Sequence, residues 1–320
     1  MSKTDMKKPA IRHFLDLADL SAADLRGLID KALARKAARA GLAKAAPDND
    51  APLVGRILAM LFDKPSTRTR VSFDLAMRQL GGQVLVLNQS DMQIGRGEAL
   101  ADTAQVLSRY VDALMIRTSA HEQLIELATH ATIPVINGLT HFSHPCQLVA
   151  DIMTVEEHCG AIKGQKIAWL GDGNNVAVSW IHAACLLDFE LHLAVPDAFR
   201  PPQTVLDWAA EHKAQVSIGT DPKAAVQGAC AVTTDCWVSM SDDPTTTAKR
   251  EKAFLPYQVT ESLMALSDNA IFLHCLPAYR GKEVAPQVID GAQSVIFDEA
   301  ENRTHAQKAI LHWCLATDIP

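Results

Sequence analysis

Five residues in one run, Ser66, Thr67, Arg68, Thr69 and Arg70, stand between an apolar segment, ILAMLF (57–62), and an amphipathic one, VSFDLAMRQLGG (71–82). Hydroxyls and a planar guanidinium at the start of a helix suit an oxyanion, because the helix N-terminus adds unpaired N–H groups and a partial positive charge. The other reading of the same run is a hydroxyl helix cap flanked by two solvated arginines. Arg117 closes a second apolar segment, ALMIRT (113–118), and His144 and Gln147 follow a third, PVINGL (134–139), in the run HPCQ. Together they bring cationic and hydrogen-bond-donating groups to one rim. Asp235 and Ser239 in TDCWVSM (234–240) and Cys275 in HCLP (274–277) follow two later segments. Asp235 has the charge to hold an ammonium, whereas a free cysteine such as Cys275 is more commonly inert core. The run GDGNN after KIAWL raises a dinucleotide alternative: Gly171 and Gly173 supply G-x-G, and Asp197 follows the next strand at a distance suited to a ribose. The third glycine position is Val176, and Asn174 and Asn175 put amide side chains where a cofactor would approach. No His, Cys or carboxylate set has metal-site spacing, and neither a G-x-S-x-G elbow nor a Walker A loop is present.

The elements that must carry these groups alternate. A capping box, Ser21 with Asp24, opens a helix running to about Leu42. Strands are expected at 57–62, 83–88, 113–118 and 134–139, with helices at 71–82, 101–111 and 122–131 between them. A long helix over 144–160 leads to a second unit, with strands at 166–170, 190–195, 214–220, 230–236, 270–276 and 294–300 and a closing amphipathic helix over 301–317. This order predicts an α/β chain of two domains, each a parallel β-sheet flanked by helices, joined by interdomain helices. Ligands of such sheets bind beyond the carboxyl ends of the strands, where every cluster named above falls.

Composition narrows the class. The chain has 320 residues and a mass of 34.7 kDa, enough for two ordinary domains, with 48% hydrophobic and 21% charged residues. A net charge of −7 gives no broad basic field for nucleic acid or membrane. Seven cysteines, widely spread and without a CxxC pair, argue against a disulfide framework and for a reducing cytoplasm. Neither a signal peptide, nor a transit peptide, nor a membrane-length apolar run is recognisable.

The runs FDKPSTRTR, MIRT, HPCQ, GDGNN, TDCWVSM, HCLPA and ENRTHAQKAI, in this order and spacing, resemble the aspartate/ornithine carbamoyltransferase superfamily over nearly the whole chain. The asparagine pair, D-x-x-x-S-M and H-C-L-P are similar to its ornithine-specific members. The resemblance implies transfer of the carbamoyl group of carbamoyl phosphate to the δ-amine of L-ornithine, giving L-citrulline and phosphate, a step of arginine metabolism that needs no cofactor and no metal. It assigns Ser66, Thr67, Arg68 and Thr69 to the phosphate, and Arg117 and His144 to the carbamoyl oxygen. Gln147, the backbone carbonyl of Leu276 and Arg303 fix the carbamoyl end, and Gln93 reaches a neighbouring subunit's site. Asn175, Asp235, Ser239 and Met240 match the ornithine-binding positions, and Cys275 lies near the δ-amine as proton acceptor or orienting group. At a reference pKa near 10.4 only about 0.04% of such an amine is neutral at pH 7, so the site must favour deprotonation. Intact D-x-x-x-S-M favours an amino acid over putrescine, which has no α-carboxylate. The family's architecture implies a carbamoyl-phosphate-binding domain over 1–146, completed by a C-terminal helix over 303–320, and an ornithine-binding domain over 147–302. It also implies a homotrimer or a multiple of trimers, binding of carbamoyl phosphate first, and domain closure. Ser241 and His141 depart from the family's usual glycine and acid, and Asp63 replaces a glutamate.

Overall fold

The computed structural model describes residues 11–64, 66–88, 98–238, 245, 247–267 and 269–315. The first half holds β1 (Ile57–Phe62), β2 (Gln83–Asn88), β3 (Ala113–Arg117) and β4 (Val135–Leu139). Its helices are α1 (Ala22–Ala37), α2 (Thr67–Gln79), α3 (Leu100–Leu107), α4 (His121–His130) and α5 (Pro145–Cys159). The second half alternates β5 (Lys166–Leu170), α6 (Asn175–Leu187), β6 (Glu190–Ala194), α7 (Gln203–Glu211), β7 (Val216–Gly219), α8 (Pro222–Val226) and β8 (Ala231–Thr234). Then follow α9 (Thr247–Phe254), α10 (Glu261–Met264), β9 (Ile271–His274), α11 (Pro286–Ile289) and α12 (Ile296–Leu315).

Among the described residues all strand pairs are parallel, in the orders β2-β1-β3-β4 and β7-β6-β5-β8-β9. Central strands are buried on both faces because helices cover both: β1 from Leu58 to Phe62, all apolar, and β8 throughout, its Thr233 and Thr234 included. Each sheet has a point where successive connections leave in opposite directions, between β1 and β3 in the first and between β5 and β8 in the second. At such a point the loops beyond the strand ends diverge and open a crevice. The run after β1 and Arg117 at the end of β3 flank the first crevice, and GDGNN and TDCW flank the second.

Helices α5 and α12 tie the halves together. Residues 145–155 of α5 are buried, and α12 packs on α5, α1 and α2 while also touching β9. The expected strand over 294–300 is a correction. The chain makes one parallel bridge there, Phe272 with Ser294, and then coils into α12. Asp298 and Glu299 in the first helical turn favour that helix start over a strand, outweighing the apolar V-I-F triplet. Nor is α12 amphipathic: residues 302–311 are all buried, polar ones included. The first helix keeps its predicted capping box but ends at Ala37, short of Leu42. Arg39 donates to the carbonyls of Ala43, Lys44 and Ala46, which holds the chain off the helical path.

Candidate active site

Helix α2 begins inside the first motif, with Ser66 as its N-cap, and the Ser66 side chain makes no capping hydrogen bond. The first-turn amides are thus left without the partner a serine cap ordinarily supplies. Helix α6 differs: the Asn174 side chain accepts from the N–H groups of Val176 and Ala177 (3.0 and 3.2 Å). A Cβ on Gly173 would lie 2.4 Å from Pro201 N and 2.6 Å from Phe199 O, so that glycine serves close packing against the chain's own backbone. The dinucleotide alternative therefore loses its cradle, since cap and glycine are both consumed by the protein.

Thr69 is fully buried at the centre of the anion side. Its hydroxyl oxygen accepts from Arg117 Nη1 and from Arg303 Nη2, both at 2.9 Å. A threonine oxygen has two lone pairs, so both are used and its own hydrogen is what it can offer a ligand. Arg303 Nη1 donates to Gln147 Oε1 (2.7 Å). Gln147 Nε2 donates to Asp151 Oδ1 (2.7 Å) and Glu299 Oε1 (3.0 Å). Burial, with Arg303 and Arg68 nearby, lowers the Arg117 pKa to about 10, and burial lowers that of Arg303. Burial, Arg303 and Arg117 push the His144 imidazole well below its usual range, so it is neutral at physiological pH. Arg303 Nε and His144 Nδ1 are buried without a protein hydrogen-bond partner. Converging cations and unsatisfied nitrogens are costly unless an anion supplies the remaining partner.

The opposite wall comes from the second sheet. Asp235, just past β8, accepts from Asn174 Nδ2 (2.7 Å), from the Cys236 N–H (2.8 Å) and from Cys275 Sγ (3.3 Å). Burial, then Asp235 and Glu299, raise the Cys275 pKa well above the ordinary thiol value, so it is a thiol at neutral pH. Leu276 is left-handed at φ 57°, and its N–H donates to His274 Nδ1 (2.9 Å). Asp235, His274 and Cys275 offer oxygen, nitrogen and sulfur atoms within 4.8 Å of one another. Of these groups Asp235 and Cys275 bond each other and His274 Nδ1 accepts from Leu276, whereas His274 Nε2 is buried without a hydrogen-bond partner among the described residues, 3.4 Å from Glu283. Asn175 Nδ2 donates to Thr140 O (2.7 Å) and Asn175 O accepts from Ser179 Oγ (3.0 Å). Ser179 Oγ in turn accepts from the His144 N–H (2.9 Å), linking the second half to the loop before α5.

The structure thus joins Thr69, Arg117, Gln147 and Arg303 in one network, and Asp235 with Cys275 in a second. Ser66 and Thr67 stand at the α2 start beside them, with Arg68 and Thr69 in its first turn. Gln93, Ser239 and Met240, and with them Ser241, lie outside the described residues. Asp151, His274 and Glu299 were not singled out from sequence, and Asn174 was noted only as half of the asparagine pair, not as a partner of Asp235. Asp151 carried a signal, one helical turn after Gln147, but Glu299 fell inside the misassigned strand.

The chain matches the family description "Aspartate/ornithine carbamoyltransferase, carbamoyl-P binding domain" over residues 12–157 and "Aspartate/ornithine carbamoyltransferase, Asp/Orn binding domain" over 163–314. It is 57% identical to an ornithine carbamoyltransferase of Rhodopseudomonas palustris, covering 95% of this chain and 96% of that one. An ornithine carbamoyltransferase of Nitrobacter winogradskyi is 55% identical, over 96% and 98%. The solved ornithine carbamoyltransferase of Pyrococcus furiosus superposes with a TM-score of 0.88 at 45% identity, over 95% and 96%. Matches that span both halves and nearly the full length of the relatives mean that the chain belongs to the aspartate/ornithine carbamoyltransferase family.

Proposed function

We propose that the protein transfers the carbamoyl group of carbamoyl phosphate to the δ-amine of L-ornithine, forming L-citrulline and phosphate. The observation that carries this reading is the pairing of two unlike walls: a cationic one built on Thr69, Arg117 and Arg303, and an acidic one built on Asp235 and Cys275. The first suits a phosphorylated carbonyl and the second an amino acid's ammonium.

In this reading the uncapped α2 start, with Ser66, Thr67, Arg68 and Thr69, holds the phosphate. Arg117 and neutral His144 face the carbamoyl oxygen, where charge develops when the amine attacks, and preorganised donors there stabilise the transition state. The C–N bond forms as the C–O bond to phosphate breaks, the amine's N–H proton passes to the departing phosphate, and the arginines neutralise the charge that remains on it. Asn175, Asp235, Ser239 and Met240 hold the α-amino and α-carboxylate groups of ornithine. Cys275, as a thiol donating to Asp235, orients the amine rather than accepting its proton as a thiolate. Gln147, the Leu276 carbonyl and Arg303 position the carbamoyl end, and Gln93 comes from a neighbouring subunit.

Residues 1–146 with the C-terminal helix form the carbamoyl-phosphate domain and 147–302 the ornithine domain, assembled as a homotrimer or a multiple of it. The packing of α12 on α1, α2 and α5 supports its place in the first domain. The reading extends to a reducing compartment, the cytoplasm, which the seven free cysteines support.

A citrulline assay with carbamoyl phosphate and, in parallel, L-ornithine, putrescine, N-acetylornithine and aspartate tests the reading. Turnover with L-ornithine alone is expected; a correctly folded protein silent with every amine would sink it.

A further inference from the structure

Two buried acids at the junction of α5 and α12 take no part in the chemistry above. Asp151 is 2% and Glu299 is 1% exposed. Gln147 Nε2 has two hydrogens and gives one to each carboxyl. Its orientation is thereby fixed, because only Oε1 is left to accept from Arg303. The second oxygen of Glu299 accepts from the His274 N–H at 2.8 Å, at the end of β9 and just before the Cys275–Leu276 turn. One carboxyl pair therefore braces both substrate walls, through Gln147 and Arg303 on one side and through His274 on the other. The two acids are also within hydrogen-bonding reach of each other, and carboxylate oxygens bond only with a proton between them. Like charges so close in a dry site do not both ionise.

We propose that Asp151 and Glu299 are positioning residues, a proton-sharing carboxyl pair that aims Gln147 and Arg303 at carbamoyl phosphate and takes up a proton when that anion binds. The proposal rests on the carbamoyl-phosphate reading for its ligand. The charged and titratable groups facing the pair are Arg303 on α12, His274 at the end of β9, and Asp235 and Cys275 beyond β8 and β9. Arg303 is the one cation among them. Burial raises Asp151 to about 7, and burial with the Asp151 charge raises Glu299 well above its ordinary value. The pair therefore begins to lose protons near neutrality. An anion that engages Arg303 withdraws the compensation this cation gives the pair, which raises the pair's proton affinity and makes binding take up a proton.

Calorimetric titration of a non-hydrolysable phosphonate analogue of carbamoyl phosphate, at pH 7.5 in buffers of different ionisation enthalpy, reads this directly. Net proton uptake is expected in the wild type and is abolished in Asp151→Asn/Glu299→Gln, which cannot titrate. The double variant keeps an acceptor oxygen for Gln147 at each position but loses the Glu299 oxygen that accepts from the His274 N–H. Equal uptake in both proteins overturns the proposal. Infrared spectroscopy of the ligand-free wild type supplies a test independent of the substrate reading. A carboxylic-acid C=O band at pH 7.5 that shifts in heavy water and disappears in the double variant is expected. Its absence from the wild type overturns the shared proton even where the analogue binds. A wild type that shows the band but binds no analogue counts against the substrate reading and against the linkage to binding, leaving the pair itself supported. A merely structural role is separated by rescue. Asp151→Ala should raise the KM for carbamoyl phosphate roughly tenfold, the scale of one orienting charged hydrogen bond, with kcat much less affected, and Asp151→Asn should restore it. Equal loss in the Ala and Asn variants would count against positioning.

Discussion

Thr69 shows how much one hydroxyl can organise. Both its lone pairs are taken by guanidinium groups, from β3 and from α12, which hold two cations side by side. Thr69→Val keeps the shape and removes both acceptors and the donor. It should lower kcat/KM for carbamoyl phosphate by on the order of 10²-fold, the scale of one preorganised donor, with a small change in melting temperature. Loss of folding instead of activity would make Thr69 a core residue. Cys275 gives a second prediction at this scale. The thiolate is the form that reacts with alkylating agents, and burial and Asp235 suppress it here. Alkylation of Cys275 by iodoacetamide at pH 7.5, followed by peptide mass spectrometry, should be much slower than that of a free peptide thiol. An equally fast reaction would restore the thiolate as a candidate base.

At the scale of elements, α12 is the unusual piece. It is buried on all sides from residue 302 to 311. Asn302, Arg303 and Lys308 bond partners on several other elements, while His305 Nδ1 and the Gln307 side-chain amide are buried without a hydrogen-bond partner among the described residues. Lys308, fully buried, donates to Asp48 Oδ1 (2.7 Å) in the loop after α1 and to Gln79 Oε1 (3.1 Å) at the end of α2. Arg35 and Arg39 on the same carboxylate complete the cluster. Removing one partner of a buried ionic group typically costs 3–5 kcal/mol. Because the two arginines remain on Asp48, Lys308→Ala should destabilise by about 3 kcal/mol, the lower end of that range, read from a denaturant melt. The same cluster sets a pH dependence. Burial alone would raise the Asp48 pKa, but Lys308, Arg39 and Arg35 outweigh it and the net shift is downward. A carboxylate with a depressed folded-state pKa contributes stability above its unfolded value, near pH 4, and loses it as pH falls through the folded value. Lys308→Ala reduces the depression, so its acid-unfolding midpoint should lie at higher pH than the wild type's. An unchanged midpoint would mean that Asp48 is held by its arginines alone.

For the whole molecule, the two walls hang from different sheets, joined by α5 and α12, so substrates that bridge them should stabilise and compact the chain. Carbamoyl phosphate at about 100 times its Kd should add about 2.7 kcal/mol by linkage, seen as a rise in melting temperature. Because carbamoyl phosphate completes the surface that receives the amine, L-ornithine alone should shift it little. A large shift with ornithine alone would reverse the binding order. Multi-angle light scattering should return three times the 34.7 kDa chain mass or a multiple of that value. A monomer with full activity would rule out the contribution of Gln93 from a neighbouring subunit.

Local pattern alone located most of the elements and both sets of strand-end residues. Apolar runs of strand length alternate with helical periodicity, and in a parallel sheet that order places every following loop on one rim. ILAMLF, ALMIRT and AIFLHCL were legible because buried parallel strands are apolar on both faces, and Ser21 with Asp24 was legible because a capping box is complete within four residues. What tertiary structure decided is the set of contacts between residues far apart in the chain. Arg303 reaches Thr69 across 234 positions, and Glu299 meets Gln147 across 152. It also decided the fate of SVIFDEA, whose apolar triplet reads as a strand until Glu299 finds its buried partners at Gln147, Asp151 and the His274 amide and the segment joins α12. Propensity is a property of neighbours in sequence, whereas the protonation and partners of a buried acid depend on what surrounds it, and only the folded chain brings those surroundings together.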